Sequence, residues 1–233
     1  MSIAPIPSDP RVPLMLTLSV ATGLVDAISV LGLGKVFTAN MTGNIVFLGF
    51  AAAGTPDFHA VSYLVAIAAF LLGALVAGRT GKAQAAQPLR RWLLIAALVE
   101  AGLLWTAAIV AIDFDIATQT PGTRLYAIIA LTAVTMGFRN ATIRQLKIPD
   151  LTTTVLTLTL TGLAADSRLA GGANPNMGRR IAAVVAIFVG AFIGAVLVSR
   201  WGLPLALLLA GALVLAGTAA CAVHLTASKQ AGT

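Results

Sequence analysis

The chain has 233 residues, of which 58% are hydrophobic and only 10% are charged, and its mean hydropathy is +0.95. Soluble domains carry about 25% charged residues, so the composition excludes an ordinary soluble domain and predicts an all-α integral membrane protein with the lipid bilayer as its surroundings. The net charge of +7 does not indicate nucleic-acid binding, because the cations flank apolar segments and form no arginine-rich block.

Six apolar segments approach or exceed the ~20 residues that a helix needs to cross a bilayer. In chain order they are Pro13–Leu33, His59–Gly78, Trp92–Ile112, Leu125–Phe138 with its flanks, Ile181–Ser199 and Trp201–Val223. Two shorter segments lie between them: Phe37–Ala53, which begins FTANMTGN, and Leu151–Ala165, which has six threonines in fifteen residues. The sequence therefore predicts six transmembrane helices and two short re-entrant or broken segments.

Three patterns occur twice in the same order, which predicts a two-fold internal repeat. GLVDA at 23–27 recurs as GFRNA at 137–141, Thr38-x-x-x-Thr42 recurs as Thr153-x-x-x-Thr157, and Ala69-x-x-x-Gly73 aligns with Gly190-x-x-x-Gly194. The predicted division is an N-terminal tail (1–12), a first membrane repeat (13–112), a second membrane repeat (113–224) and a C-terminal tail (225–233). Small residues four apart let helices approach closely, either within one chain or between the copies of a homo-oligomer.

The loop cations favour one arrangement of the short segments. If all eight segments span and the N-terminus is outside, the cations divide eight inside to six outside. If both short segments return to the side they came from and the N-terminus is cytoplasmic, eleven lie inside and three outside, namely Lys35, Arg124 and Arg200. Cytoplasmic loops carry the excess of Lys and Arg, so the second arrangement is favoured. Three spans per half make the repeat inverted, and paired short segments in inverted halves point to a transporter binding site.

The short segments supply one group of candidate pathway residues: Asn40, Thr42 and Asn44 in the first half, and Thr153 and Thr157 in the second. In both segments the polar residues come first, which predicts an extended entry followed by a helix whose N-terminus favours anions. The alternative is that such side chains only hydrogen-bond to neighbouring helices, the interpretation we favour for Thr159 and Thr161.

A second group lies inside the apolar segments. Asp26, Glu100 and Arg139 each cost at least ~2.5 kcal/mol in the hydrocarbon, and Asn140 takes the place of Asp26 in the repeat. Asp26 or Glu100 could carry a proton, and Arg139 could hold an anionic solute. If the GLVDA and GFRNA motifs face each other, Asp26 and Arg139 lie on adjacent faces. The alternative is a buried Asp–Arg or Glu–Arg pair that only fixes helix packing.

No enzyme site, cofactor site or metal site is predicted. His59 and His224 are lone histidines with no cluster of Cys or carboxylate residues around them, Cys221 is the only cysteine, and the sequence has no G-x-x-x-x-G-K-[ST] motif. Asp113 and Asp115 alone are too few ligands for a metal ion.

The stretch GLVDAISVLGLGKVFTANMTGNIVFLG resembles the YoaK family of bacterial inner-membrane proteins, a domain of unknown function. The resemblance rests on a G-x-x-D-A motif followed by V-F-x-A-N-M-T-G-N, here Gly23, Asp26, Ala27, Val36, Phe37, Ala39, Asn40, Met41, Thr42, Gly43 and Asn44. It extends through GFRNATIR and the Thr-rich segment. It implies a bacterial cytoplasmic-membrane location and no particular substrate.

Together these features predict a secondary transporter of a small polar or anionic solute or ion, with proton coupling through Asp26 as one option. A passive channel with the short segments as its filter is the first alternative. A non-transporting membrane scaffold or assembly protein is the second.

Overall fold

The computed structural model describes residues 11–84, 87–146 and 156–230, which form α-helices, one 3-10 turn and connecting loops. The helices are α1 (Arg11–Gly32), α2 (Met41–Ala52), α3 (Ala60–Ala83), α4 (Leu89–Val110), α5 (Gly122–Leu146), α6 (Leu156–Ala165), α7 (Met177–Trp201) and α8 (Leu203–Gln230). The 3-10 turn, Arg168–Ala170, follows α6. The all-α prediction is confirmed.

Within the described residues, six helices are long and apolar enough to cross a membrane: α1, α3, α4, α5, α7 and α8. At 1.5 Å per residue a helix of 22 residues is about 33 Å long, which covers the ~30 Å hydrocarbon core. The 12 residues of α2 and the 10 residues of α6 reach only about 18 Å and 15 Å. The six predicted spans and the two short segments are therefore the eight helices of the structure, with ends displaced by a few residues.

Residues in special backbone conformations lie between α1 and α2 and between α7 and α8. After α1, Gly34 and Lys35 have φ of 79° and 61°, a region that ends a right-handed helix and that glycine adopts at no steric cost. Asn40 is extended immediately before α2. Gly202, with φ of 78°, separates α7 from α8.

The contacts of α4 fix the directions of the spans. Trp105, near the end of α4, donates its indole N–H to the carbonyl of Leu208, near the start of α8, at 3.2 Å. Leu93, near the start of α4, shares a hydrophobic cluster with Leu14 of α1 and Cys221 of α8. Thus α4 runs antiparallel to α8 and starts at the same end of the bundle as α1. With these directions, α1 ends and α3 begins at one end of the bundle, and α5 ends and α7 begins at the other.

The first helix of each half packs closely on the third helix of the other half. A Cβ on Gly23 would collide with the Ile187 backbone of α7, and a Cβ on Gly137 would collide with the Phe70 backbone of α3. The other contacts of α1 are mainly with α8, and those of α5 are mainly with α4. The first glycine of GLVDA thus packs on α7 and that of GFRNA packs on α3, while α1 and α5 touch each other only slightly.

The outward faces of α3 and α7 are apolar. Leu71 is 61% exposed and Phe188 is 69% exposed, as expected for side chains that face lipid tails. Gly73 and Gly190, by contrast, lie against other helices of the same chain, so these small-residue faces serve packing within the chain.

Candidate functional site

The most deeply buried charges in the described part of the chain are Glu100 and Arg139, which form an ion pair. Nε of Arg139 donates to Oε2 of Glu100 at 2.7 Å, and the two residues are 4% and 0% exposed. Glu100 projects from the face of α4 that carries Ala96 and Ala97, both buried. Small neighbours leave the space that a glutamate and an arginine need between packed helices.

The guanidinium of Arg139 is only partly satisfied. Nη1 and Nη2 are buried and have no hydrogen-bond partner among the described residues. Arg139 and Glu100 line a cavity of about 20 Å³, to which α1 contributes Leu14 and Leu18 and α8 contributes Val214 and Thr218. A cavity of this size holds about one water molecule. Four helices, α1, α4, α5 and α8, therefore meet at an ion pair whose guanidinium has hydrogen-bond donors without a partner among the described residues.

Asn44 has a structural role in the conformation described. It is fully buried, its Oδ1 accepts from the N–H of Phe37 at 2.9 Å, and its Nδ2 donates to the carbonyl of Phe37 at 2.5 Å. The amide thereby links the first turn of α2 to the loop before it.

The remaining candidates of the short segments do not converge with Asn44. Asn40 and Thr42 are exposed at the start of α2, and Thr157 is exposed on α6. Asn40 precedes the helix without a side-chain cap bond, so the first amide groups of α2 are left uncapped by it. Thr153 lies outside the described residues.

Asp26 and Asn140 are both half-buried, on α1 and α5. Oδ1 of Asp26 is buried with no hydrogen-bond partner among the described residues, and Nδ2 of Asn140 donates to the carbonyl of Met136 at 2.8 Å. The ion pair made by Arg139 is with Glu100, not with Asp26. Of the nine candidates from the sequence, the structure brings Glu100 and Arg139 into direct contact.

Sequence reasoning did not select Thr142 and Thr218, which also line the cavity. Thr142 is three residues after Arg139 and so lies on the same helix face, a signal that could have found it. Thr218 carries no such signal, because its proximity to Glu100 and Arg139 depends on the antiparallel packing of α8 on α4.

The turn between α4 and α5 lies at the end of the bundle opposite to the N-terminus. Oδ2 of Asp115 accepts from the Thr118 hydroxyl at 2.9 Å, and Oδ1 accepts from the N–H of Ala117 at 2.8 Å. These bonds, with one from the N–H of Thr118, favour the ionised carboxylate and lower the pKa of Asp115 below its usual value. Beside this turn is an open pocket of about 570 Å³ lined by His59, Gln119 and Tyr126 among others.

The chain is similar in sequence to a described protein family and to a bacterial transmembrane protein. The family described as "Protein of unknown function (DUF1275)" matches residues 14–220. The UPF0700 transmembrane protein YoaK of Bacillus subtilis (strain 168) is 32% identical over 154 residues, which are 66% of this chain and 65% of that protein. The match thus spans just under two thirds of the relative's length. No solved structure matches the chain significantly.

The family match covers both predicted halves, including the segments around Asn44 and the Glu100–Arg139 pair. It agrees with the resemblance found at GLVDA and FTANMTGN. With six apolar helices of spanning length and a transmembrane relative, the chain is a multi-pass membrane protein and belongs to the DUF1275 family.

Proposed function

We propose that this protein is a secondary transporter of a small polar or anionic solute. The observation that carries the proposal is Arg139: a cation buried inside the bundle, paired through Nε alone, whose Nη1 and Nη2 have no partner among the described residues. Ionisable groups inside spans are costly and commonly mark solute or ion pathways. A guanidinium with two unpaired NH₂ groups suits an anionic or strongly polar ligand.

The proposed pathway lies between inverted repeats. In support, Gly190 of α7 sits against the carbonyl of Val20 on α1, and Gly73 of α3 sits against the carbonyl of Val134 on α5. Val20 and Val134 each precede by three residues the first glycine of the GLVDA or GFRNA motif. The two contacts are thus equivalent, while α1 and α5 run in opposite directions.

This correspondence pairs Gly73 with Gly190. The sequence alignment had paired Gly73 with Gly194 instead, which is four residues, about one helical turn, further along α7. Both glycine pairings keep a small residue every fourth position, so the sequence alone does not distinguish them. The contacts with Val134 and Val20 support the pairing of Gly73 with Gly190 rather than with Gly194.

The short helices supply a second point of similarity between the halves. Asn44 is the buried residue of α2, and Thr159 is the buried residue of α6. Each lies two residues after an exposed threonine, Thr42 and Thr157, which the sequence repeat aligns. Equivalent burial at aligned positions supports the proposal that α2 and α6 are counterparts.

We further propose a bacterial cytoplasmic-membrane location with a cytoplasmic N-terminus. The helix directions place Lys35, Arg124 and Arg200 at the end opposite to the N-terminus, while Arg79, Lys82, Arg90, Arg91, Arg144, Arg168, Arg179 and Arg180 are at the N-terminal end. This distribution matches the positive-inside rule. The YoaK relative is itself described as a transmembrane protein.

A carrier is favoured over a passive channel by the size of the cavity. Space for about one water at the charged pair, surrounded by α1, α4, α5 and α8, corresponds to an enclosed site. A conducting pore needs a continuous wet path with weak binding along it.

The test is solute flux in liposomes that contain the purified protein, with panels of labelled small anions and neutral polar solutes. The proposal predicts uptake of at least one solute class and its loss in Arg139→Gln. Arg144→Gln is the matched control, because Arg144 lies on the same helix and is exposed. No flux with any panel member, with both variants as stable as the unmodified protein, would contradict transport and favour a scaffold.

A further inference from the structure

The site at Glu100 and Arg139 is electrically neutral as a pair. Nε of Arg139 donates to Oε2 of Glu100 at 2.7 Å, and both side chains are almost wholly inaccessible to solvent. Nη1 and Nη2 of the same guanidinium have no partner among the described residues. The charge of Arg139 is therefore compensated while most of its hydrogen-bonding capacity is unused.

Protonation of Glu100 would remove the negative charge that compensates Arg139. The neutral carboxylic acid no longer compensates Arg139, which becomes a lone cation among packed spans, and an uncompensated buried charge is strongly unfavourable. One monovalent anion bound to the two Nη groups restores neutrality. Parallel N–H donors on a guanidinium are suited to that contact.

We propose that this site moves one proton and one small monovalent anion together, with the proton on Glu100 and the anion on Arg139, so that transport is electroneutral. This inference rests on the proposed function. On one side of the membrane Oε2 of Glu100 takes up H⁺ from the aqueous solution and releases Nε of Arg139 as the anion binds from the same solution. On the other side the anion leaves, the proton returns to water, and the Glu100–Arg139 pair forms again.

The surroundings assign the proton to Glu100 rather than to Asp26. Among the described residues that line the cavity, Glu100 and Arg139 are the charged or titratable ones. The walls from α1 and α8 are Leu14, Leu18, Val214 and Thr218, and α5 adds Thr142 and Ile143. Asp26 lies elsewhere on α1 and is not part of this lining.

The lining also restricts the class of anion. A cavity that holds about one water in the paired state accepts a small anion with modest movement of the Glu100 side chain, and a large one only with rearrangement. Its wall is mainly apolar, which leaves the hydroxyls of a sugar or the second charge of a dianion unpaired. Small monovalent anions therefore fit this site best.

The transport test uses liposomes with chloride, nitrate and methanesulfonate as probes, which are anions of strong acids, and impermeant gluconate as the balancing anion. With the membrane potential clamped at zero, a gradient of one pH unit, acid outside, should accumulate a transported probe about tenfold. With no pH gradient, an inside-positive potential of about 60 mV, which would drive a lone monovalent anion tenfold inward, should accumulate none.

The binding test uses Glu100→Gln, whose neutral amide imitates the protonated acid. Its melting temperature should rise by several degrees when chloride replaces gluconate, at every pH from mildly acidic to alkaline. The unmodified protein at alkaline pH should show no such rise. The double variant Glu100→Leu with Arg139→Met, which removes both charges together, is the folded control and should not respond to anions.

The outcomes distinguish a failure of the proton–anion coupling from a failure of the proposed transport function. Accumulation that follows the potential and ignores the pH gradient would overturn the proton–anion pairing while leaving transport intact. A melting temperature of Glu100→Gln that is the same in chloride and gluconate would overturn the assignment of the anion to Arg139. No net flux of any probe or solute by the unmodified protein would contradict the proposed function itself.

Discussion

The side-chain amide of Asn44 hydrogen-bonds both backbone polar groups of Phe37, accepting from its N–H at 2.9 Å and donating to its carbonyl at 2.5 Å. The two residues are seven apart, one in the loop before α2 and one in its first turn. The bonds hold the entry of the short helix at a fixed angle. The most distinctive part of FTANMTGN thus shapes the backbone at the start of α2, which packs on α3 and contributes no residue to the described lining of the Glu100–Arg139 cavity.

Replacing Asn44 by Ala should lower the stability of the protein by about 1–3 kcal/mol, because the Phe37 N–H and carbonyl both lose their partner in a half-buried setting. Denaturant unfolding in detergent, followed by circular dichroism, measures the change. Thr42→Ala is the control on the same helix, since Thr42 is exposed. Equal stabilities of the two variants would show that the Asn44 bonds contribute little.

Gly73→Ala and Gly190→Ala should each lower stability by roughly 1–3 kcal/mol, as overpacking of a close contact does. The added Cβ would collide with the carbonyl of Val134 in the first case and of Val20 in the second. Gly78→Ala, also on α3, has nothing within 4 Å of the new Cβ and should be neutral or slightly stabilising. The same unfolding assay applies, and a loss for Gly73 with none for Gly190 would contradict the equivalence of the two contacts.

The Asp115 turn should titrate below the usual range of an aspartate, because three hydrogen bonds favour its ionised form. A lowered pKa means that the turn gains stability above the pKa of the unfolded state and loses it as the pH falls through the folded pKa. Nuclear magnetic resonance of the labelled carboxyl carbon gives the midpoint. Thr118→Ala should raise it, and Thr123→Ala, in the first turn of α5, should not; a midpoint at or above the ordinary aspartate value would refute this description of the turn.

Much of the fold could be predicted because its physical causes are local. Runs of about twenty apolar residues fix the six spans, and their absence at α2 and α6 fixes the two short helices. Loop cations were enough to favour the arrangement in which both short helices return the chain, and the antiparallel packing of Trp105 on Leu208 agrees. Helix ends were less certain, because polar residues such as Lys82 can extend a helix beyond the hydrocarbon.

The candidate site was harder to predict, because pairing between helices depends on their rotation and register. Asp26, Glu100 and Arg139 were each recognisable as charges in apolar segments, yet nothing in the sequence says that Arg139 meets Glu100, 39 residues earlier, rather than Asp26. The exposure of Thr42 has the same cause: it lies two residues from Asn44 on α2, so the rotation of the helix that buries Asn44 turns Thr42 outward. Composition identifies such residues, and only packing assigns their partners.

The inverted arrangement is tested most directly by cysteine accessibility in intact cells, in a Cys221→Ala background that removes the only native thiol. Single substitutions Lys35→Cys and Thr55→Cys flank α2, and Arg144→Cys and Arg168→Cys flank α6; all four positions are exposed. A membrane-impermeant maleimide should label the first two in intact cells and the last two only after permeabilisation. If the members of either pair label from opposite sides, that short helix crosses the membrane, the halves are not inverted, and the proposed transport pathway loses its basis.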